Sequence, residues 1–128
     1  MTKLFDLCEK VTANNILVIL IQIDEAHSTE WPMAIDKLLN VEQPEPHKTF
    51  DDRINRAKQF IEKYNPPYPV YIDNWNNEFA EKFKAWPDKY HFIDNNYKII
   101  AKSQYHDDVE HEATIIEDCT LVLKKFIQ

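Results

Sequence analysis

The chain has 128 residues, of which 44% are hydrophobic and 29% charged, a composition typical of one globular domain spanning residues 1–128. Its net charge of −7 argues against nucleic-acid binding, because that binding depends on Lys and Arg displacing counterions from phosphates. Glycine is absent, which excludes phosphate-binding loops that need close backbone approach. The longest apolar run, residues 16–21, is far shorter than the roughly 20 residues that span a bilayer. No secretory leader opens the chain, so we expect an intracellular, cytoplasmic protein, or a virion protein if its genome is viral.

The first half of the chain predicts a helix, a strand, a long connection and a second helix. Residues 2–13 carry apolar side chains at helical spacing, and residues 16–23 form an aliphatic run typical of a strand buried on both faces of a mostly parallel sheet. Residues 28–48 contain three prolines and predict a connection with one helical turn near 33–39. Thr49 is the predicted N-cap of a helix over residues 50–64. Its apolar positions step by four and three, and they are Phe50, Ile54, Ala57, Ile61 and Tyr64.

The second half predicts a strand over 68–73, a helix over 76–85 and an antiparallel hairpin over 89–102. Asn95 and Asn96 lie at the tip of the hairpin, and Asn is the non-glycine residue that best accepts positive φ. A last helix is predicted to be capped by Asp107 or Asp108. Its inner face comprises Ile116, Cys119, Leu123 and Phe126.

Three local motifs narrow this α/β pattern. The first is Ile23-Asp24-Glu25-Ala26-His27 with Trp31 shortly after, the second is the run from His47 to Arg53 that opens a helix, and the third is the stretch 68–94. Together they resemble the iodothyronine deiodinase family of the thioredoxin-fold superfamily. The resemblance implies a truncated thioredoxin-like α/β sandwich with helices on both faces of a mixed sheet. Strands 16–23 and 68–73 would be parallel, and 89–102 would be the antiparallel hairpin.

The resemblance also implies a chemistry, in which a selenocysteine or cysteine after the first, central strand removes iodide from an iodothyronine with a thiol co-substrate. That strand and its nucleophile would precede Met1 in this chain. The family's glycine pair and Arg after the last strand are replaced by Ser103-Gln104-Tyr105-His106. No cofactor is expected.

By the same resemblance, the catalytic candidates are Glu25, His27 and His47. The two histidines would position or protonate a phenolic substrate, and Glu25 would tune His27 as a proton relay. The alternative is that these residues are an inherited scaffold making local hydrogen bonds. Pro87 is the predicted cis-proline before the hairpin, and the alternative is an ordinary trans proline that ends a helix.

Cys8 and Cys119 are the redox candidates, but both lie on apolar helix faces, which favours core cysteines over reactive thiols. A disulfide between them is not expected in a reducing cell. We also expect no metal site in the acidic cluster near the final helix, because its two histidines are five residues apart and point to different helix faces. That cluster comprises His106, Asp107, Asp108, Glu110 and His111.

The leading functional hypothesis is therefore a non-catalytic binding or structural component of an assembly, encoded by a viral or other fast-evolving genome. A thioredoxin-like sheet without its central strand has a gap between strands 16–23 and 89–93, which a protein partner or a second copy would fill. The alternative is a thiol- or selenol-dependent oxidoreductase or deiodinase whose nucleophile-bearing segment is missing from this reading frame. Neither nucleic acid nor membrane is an expected partner.

Overall fold

The computed structural model describes residues 2–25, 28–30, 44–86, 89–103 and 115–127. These residues form a mixed α/β structure with one small parallel sheet and one small antiparallel sheet. The chain divides into two compact units. The first unit comprises Met1–Ile19, Pro66–Pro69 and Asp88–Gln128, and the second unit comprises Leu20–Asn65 and Val70–Pro87. Organisation of the whole chain as a single domain stays a prediction.

The helices and strands follow the order that the sequence predicts, except that the helix predicted over 2–13 is two short helices; apart from the helix over 50–64, the bounds are shorter than predicted. The helices are α1 (Thr2–Phe5), α2 (Cys8–Ala13), α3 (Phe50–Tyr64), α4 (Glu78–Phe83) and α5 (Ile115–Leu123). The strands are β1 (Leu20–Gln22), β2 (Val70–Ile72), β3 (His91–Ile93) and β4 (Ile99–Lys102). Within the described ranges, no helix has the length and apolar character needed to cross a membrane.

The parallel sheet belongs to the second unit. Strand β1 is parallel to β2, as the sequence predicts, and the pairing places Leu20 opposite Val70 and Gln22 opposite Ile72. The expectation of a strand over 16–23 buried on both faces is wrong, since only Leu20–Gln22 forms the strand, its residues are half-buried, and Leu17 is 75% exposed. The aliphatic run of residues 16–23 is longer than the strand it forms. Among the described strands, β2 is the one neighbour of β1, so β1 extends only as far as it pairs with β2.

Helix α3 matches its predicted bounds and cap. The Thr49 hydroxyl accepts a hydrogen bond from the Asp52 amide at 3.2 Å, and the Asp52 carboxylate accepts one from the Thr49 amide at 2.8 Å. Asn65, at φ 41°, ends the helix in the left-handed region. The predicted inner face is partly wrong. Ala57 is buried, but its buried companion is Arg53, and three apolar positions are at least 40% exposed, namely Phe50, Ile61 and Tyr64.

The predicted antiparallel hairpin is present as β3–β4. It belongs to the first unit and pairs His91 with Lys102. Its turn differs from the expectation, because Tyr97 rather than Asn95 or Asn96 takes the positive φ, at 61°. The Asp94 carboxylate accepts hydrogen bonds from the backbone amides of Asn96 and Lys98, both at 2.9 Å. This Asx turn fixes the backbone at the start of the loop. The residue with positive φ is then Tyr97, one position after Asn96.

Aromatic contacts and helix packing complete the first unit. The Phe92 ring stacks on Phe126 at 5.6 Å between centroids, and the Tyr68 hydroxyl donates to the Leu4 carbonyl at 3.1 Å. The Phe5 ring meets the Tyr68 ring edge-on at 6.2 Å. Helix α1 packs against α5, so the two ends of the chain meet within this unit.

Candidate functional site

The candidate site lies in the second unit, where β1 ends and helix α3 begins. Asp24 and Glu25 follow the last residue of β1, at the carboxyl end of a parallel strand, which is where open α/β sheets place their binding sites. His47 precedes the N-cap of α3. Its Nδ1 atom lies 3.8 Å from Asp24 Oδ1. Of the three catalytic candidates, Glu25 and His47 are described, whereas His27 lies outside the described residues.

His47 is buried without satisfying its polar atoms. Its side chain is 2% exposed, and neither ring nitrogen has a hydrogen-bond partner among the described residues. Burial lowers the pKa of His47 below its ordinary value; Glu25 and Asp24 oppose that shift, and Arg53 and Arg56 reinforce it. The imidazole is therefore neutral at pH 7. A buried polar group left unpaired costs roughly 1–3 kcal/mol, so this side chain is poised to gain a partner.

Asp24 connects His47 to a buried arginine. Its Oδ1 atom accepts a hydrogen bond from the Glu25 amide at 3.0 Å and lies 3.4 Å from Arg53 Nη2. The Asp24 side chain is 45% exposed, so water screens part of its charge. One carboxylate oxygen therefore faces both a permanent cation and a titratable imidazole.

Arg53 is held by the loop between β2 and α4. Its Nη1 atom donates to the carbonyls of Asp73 at 3.2 Å and Asn74 at 2.6 Å, and Nη2 donates to Asn77 Oδ1 at 2.8 Å. The guanidinium also lies 5.2 Å from the centre of the Trp75 ring. The side chain is 1% exposed. Its planar fork uses several acceptors at once, which fixes its position more firmly than a lysine could.

The loop that holds Arg53 is itself anchored to α4. The Asp73 carboxylate accepts hydrogen bonds from the amides of Phe79 and Ala80, both at 2.9 Å, and the Asn74 side chain accepts one from the Glu78 amide at 3.0 Å. These bonds satisfy amides in the first turn of α4. The oxygen atoms that receive Arg53 are therefore rigidly placed.

An open groove of about 370 Å³ runs past His47. One wall is residues 45–48, and the other is a polar face of α3 formed by Asp52, Asn55, Arg56 and Gln59. Arg56 Nε lies 3.7 Å from Glu25 Oε2, which is an ion pair longer than a hydrogen bond. The groove thus presents charges of both signs and amide groups beside a buried, unpaired imidazole.

The iodothyronine deiodinase family model matches residues 2–112, which include every residue of this site. The chain belongs to the iodothyronine deiodinase family. A search of curated proteins gave no match. The resemblance drawn from the three motifs is thereby confirmed at the level of the family.

The two cysteines of this deiodinase-family chain both belong to the first unit. Cys8 and Cys119 are reduced thiols, each half-buried. Cys8 lies close to the Tyr68 hydroxyl, and burial together with this neighbour raises the pKa of Tyr68 above its ordinary value. Whether either sulfur has a redox role or only a core role stays a prediction.

Several predicted features fall outside the described residues. Pro87 and the acidic cluster at 106–111 are among them, as are Trp31 and the helical turn near 33–39. In the part of the chain that is described, no three His, Cys, Asp or Glu side chains are grouped to hold a metal ion.

Sequence reasoning missed Asp24 and Arg53. A signal for Arg53 was present, since it lies four residues before Ala57 and therefore on the same helix face. A cation on the inner face of a helix implies acceptors opposite it.

Proposed function

We propose that this deiodinase-family chain is a binding protein with a thioredoxin-like fold that holds a small phenolic ligand and does not deiodinate it. The observation that carries the proposal is His47, whose side chain is 2% exposed with both nitrogens unpaired within the described residues, on the wall of an open groove. A ligand hydroxyl would remove the penalty of that unpaired imidazole.

The charges of the groove favour a zwitterionic ligand over a polyanion. Lys48 and Arg56 are balanced by Glu45 and Asp52, so the four formal charges of the lining sum to zero. An iodothyronine carries a phenolic hydroxyl at one end and an amino-acid zwitterion at the other. It therefore presents both kinds of group that the groove can pair.

The cysteines support a non-catalytic role. Reductive removal of iodide needs a sulfur or selenium that attacks the halogen, and such nucleophiles need exposure and an electropositive setting. Cys8 is half-buried beside the Tyr68 hydroxyl, and Cys119 is half-buried in α5.

Titration calorimetry with triiodothyronine and its phenolic methyl ether tests the proposal. The wild-type chain should bind the phenol at least about tenfold more tightly than the ether, because a site built to pair a hydroxyl rejects an analogue that lacks it. His47→Gln should reduce phenol binding to the level of the ether. His91→Gln, on β3 in the first unit, is the matched control and should change neither affinity.

Iodide release in the presence of dithiothreitol tests the absence of catalysis. We expect none from the purified chain. Turnover that disappears in Cys8→Ser would overturn the non-catalytic proposal, and phenol binding that is unchanged in His47→Gln would overturn the site.

The second candidate function is a thiol- or selenol-dependent oxidoreductase or deiodinase whose nucleophile lies on a segment outside this reading frame. Membership of the iodothyronine deiodinase family favours it. The upstream nucleotide sequence discriminates between the two functions, since an in-frame strand-coding run ending in a TGA codon would support the enzyme. Light scattering of the purified chain tests the related proposal that a second copy covers the edge of β1 that no described strand pairs with.

A further inference from the structure

We infer that Asp24 is a positioning residue for His47, held in place by Arg53. Its carboxylate keeps the His47 proton on Nδ1, so that Nε2 is the nitrogen that accepts a hydrogen bond from a ligand hydroxyl. The part of this inference that concerns the ligand rests on the proposed function, whereas the part that concerns the proton does not.

The geometry selects which nitrogen carries the proton. Asp24 Oδ1 lies 3.8 Å from Nδ1, and an ionised carboxylate only accepts hydrogen bonds. A proton on Nδ1 is therefore favoured over a lone pair there. The orientation of a histidine is commonly set in this way by the group opposite its second nitrogen.

Arg53 determines where the Asp24 oxygen can lie. Arg53 Nη2 is 3.4 Å from the same Oδ1 atom that faces His47. The guanidinium cannot follow Asp24 into solvent, because it is bonded to the carbonyls of Asp73 and Asn74 and to the side chain of Asn77. The loop between β2 and α4 therefore fixes the proton on His47 through two intervening side chains.

Asp24 determines which nitrogen of His47 carries the proton, rather than the net charge of the imidazole ring. Four charged groups influence His47, two of each sign: Glu25 and Asp24 raise its pKa, and Arg53 and Arg56 lower it. Asp52, which is also influenced by His47, is occupied by the backbone amides of Lys48 and Thr49. Burial leaves the imidazole neutral. A neutral ring has one N–H donor and one acceptor nitrogen, and what has to be determined is which nitrogen carries the proton.

Nitrogen-15 NMR of the imidazole rings in the unliganded protein tests the assignment directly. His47 is identified by the signals that vanish in His47→Gln. We expect the Nδ1–H form to dominate by a few-fold in the wild type, because a carboxylate 3.8 Å away attracts the N–H group without forming a hydrogen bond. Asp24→Ala should shift the population towards the Nε2–H form. Asp51→Ala, which removes an exposed carboxylate from the first turn of α3, is the matched control and should leave it unchanged.

Two results would overturn the inference, namely a dominant Nε2–H form in the wild type or an unchanged Nδ1–H form in Asp24→Ala. Because Asp24 is half-exposed, its alanine variant should fold, and this is checked by circular dichroism. Arg53→Lys, which keeps the charge but loses the fork, should shift the tautomer in the same direction as Asp24→Ala.

Measurements of ligand binding distinguish a failure of this inference from a failure of the proposed function. Asp24→Ala should weaken binding of triiodothyronine several-fold and leave binding of its methyl ether unchanged, because only the phenol needs an acceptor at Nε2. A normal Nδ1–H signal without any triiodothyronine binding would refute the proposed ligand and support the positioning role. Binding of the phenol that is equal in the wild type and in Asp24→Ala would refute the positioning role.

Discussion

Replacing Arg53 by Met should destabilise the protein far more than any other single change at the site. The guanidinium is 1% exposed and donates three hydrogen bonds, to Asp73 O, Asn74 O and Asn77 Oδ1. The substitution keeps the length of the side chain but leaves those oxygens and the Asp24 carboxylate without their cation. Removing one partner from a buried charged network costs about 3–5 kcal/mol. That is a large share of the roughly 5–15 kcal/mol by which a domain is stable.

Urea unfolding followed by circular dichroism measures this effect. For a protein of this size the slope is about 2 kcal/mol per M, so a loss of 4 kcal/mol lowers the midpoint by about 2 M. Arg56→Met is the matched control, since its side chain is 32% exposed and pairs with Glu25 only at 3.7 Å. It should cost less than about 1 kcal/mol. A loss below that value for Arg53→Met as well would refute the reasoning, because the bonds around Arg53 would then add nothing beyond the cost of burying its charge.

Three further predictions concern His47, the cap of α3 and the left-handed residues. Because burial lowers the pKa of His47, the unfolded chain binds its proton first, so stability should fall as pH drops from about 7 to 5, by at most about 1.4 kcal/mol per pH unit. His47→Gln should flatten that slope in urea melts, and equal slopes would contradict the argument; Asp52, whose pKa is lowered, titrates only below this window. Thr49→Ala should lower the free energy of unfolding by about 1 kcal/mol, measured by the same melts, through loss of the N-cap. Lys84→Gly and Tyr97→Gly should each raise the melting temperature, since φ of 52° and 61° is strained by about 1 kcal/mol for a residue with a Cβ.

Local chemistry allowed much of the framework to be predicted. Thr49 and Asp52 define the start of α3 within four residues, and Asn65 ends it, so both boundaries depend on neighbours in the sequence. The hairpin is likewise local, with Asp94 organising its turn. Three motifs together, those around Glu25 and His47 and the stretch 68–94, predicted the iodothyronine deiodinase family, which the family model confirms.

Contacts between distant segments decided the length of β1, which local sequence did not predict. The length of β1 depends on its pairing with β2, fifty positions away, so the aliphatic run alone predicted too long a strand. The turn residue was mispredicted for a local reason: the amides on either side of Tyr97, those of Asn96 and Lys98, both donate to the Asp94 carboxylate, and Tyr97 takes the left-handed conformation although Asn95 and Asn96 have the better propensity.

The sequence by itself determined which residue types stand at the end of β1, before α3 and along the stretch 68–94, and therefore the family and the choice of His47. Only the tertiary structure decided that Arg53 faces inward and that its fork reaches the loop after β2 while Asp24 lies between it and His47. The physical reason is that a buried cation is stable only where oxygens from elsewhere in the fold surround it. Those oxygens belong to residues 73–77. No sequence pattern around Arg53 predicts that these residues lie next to it.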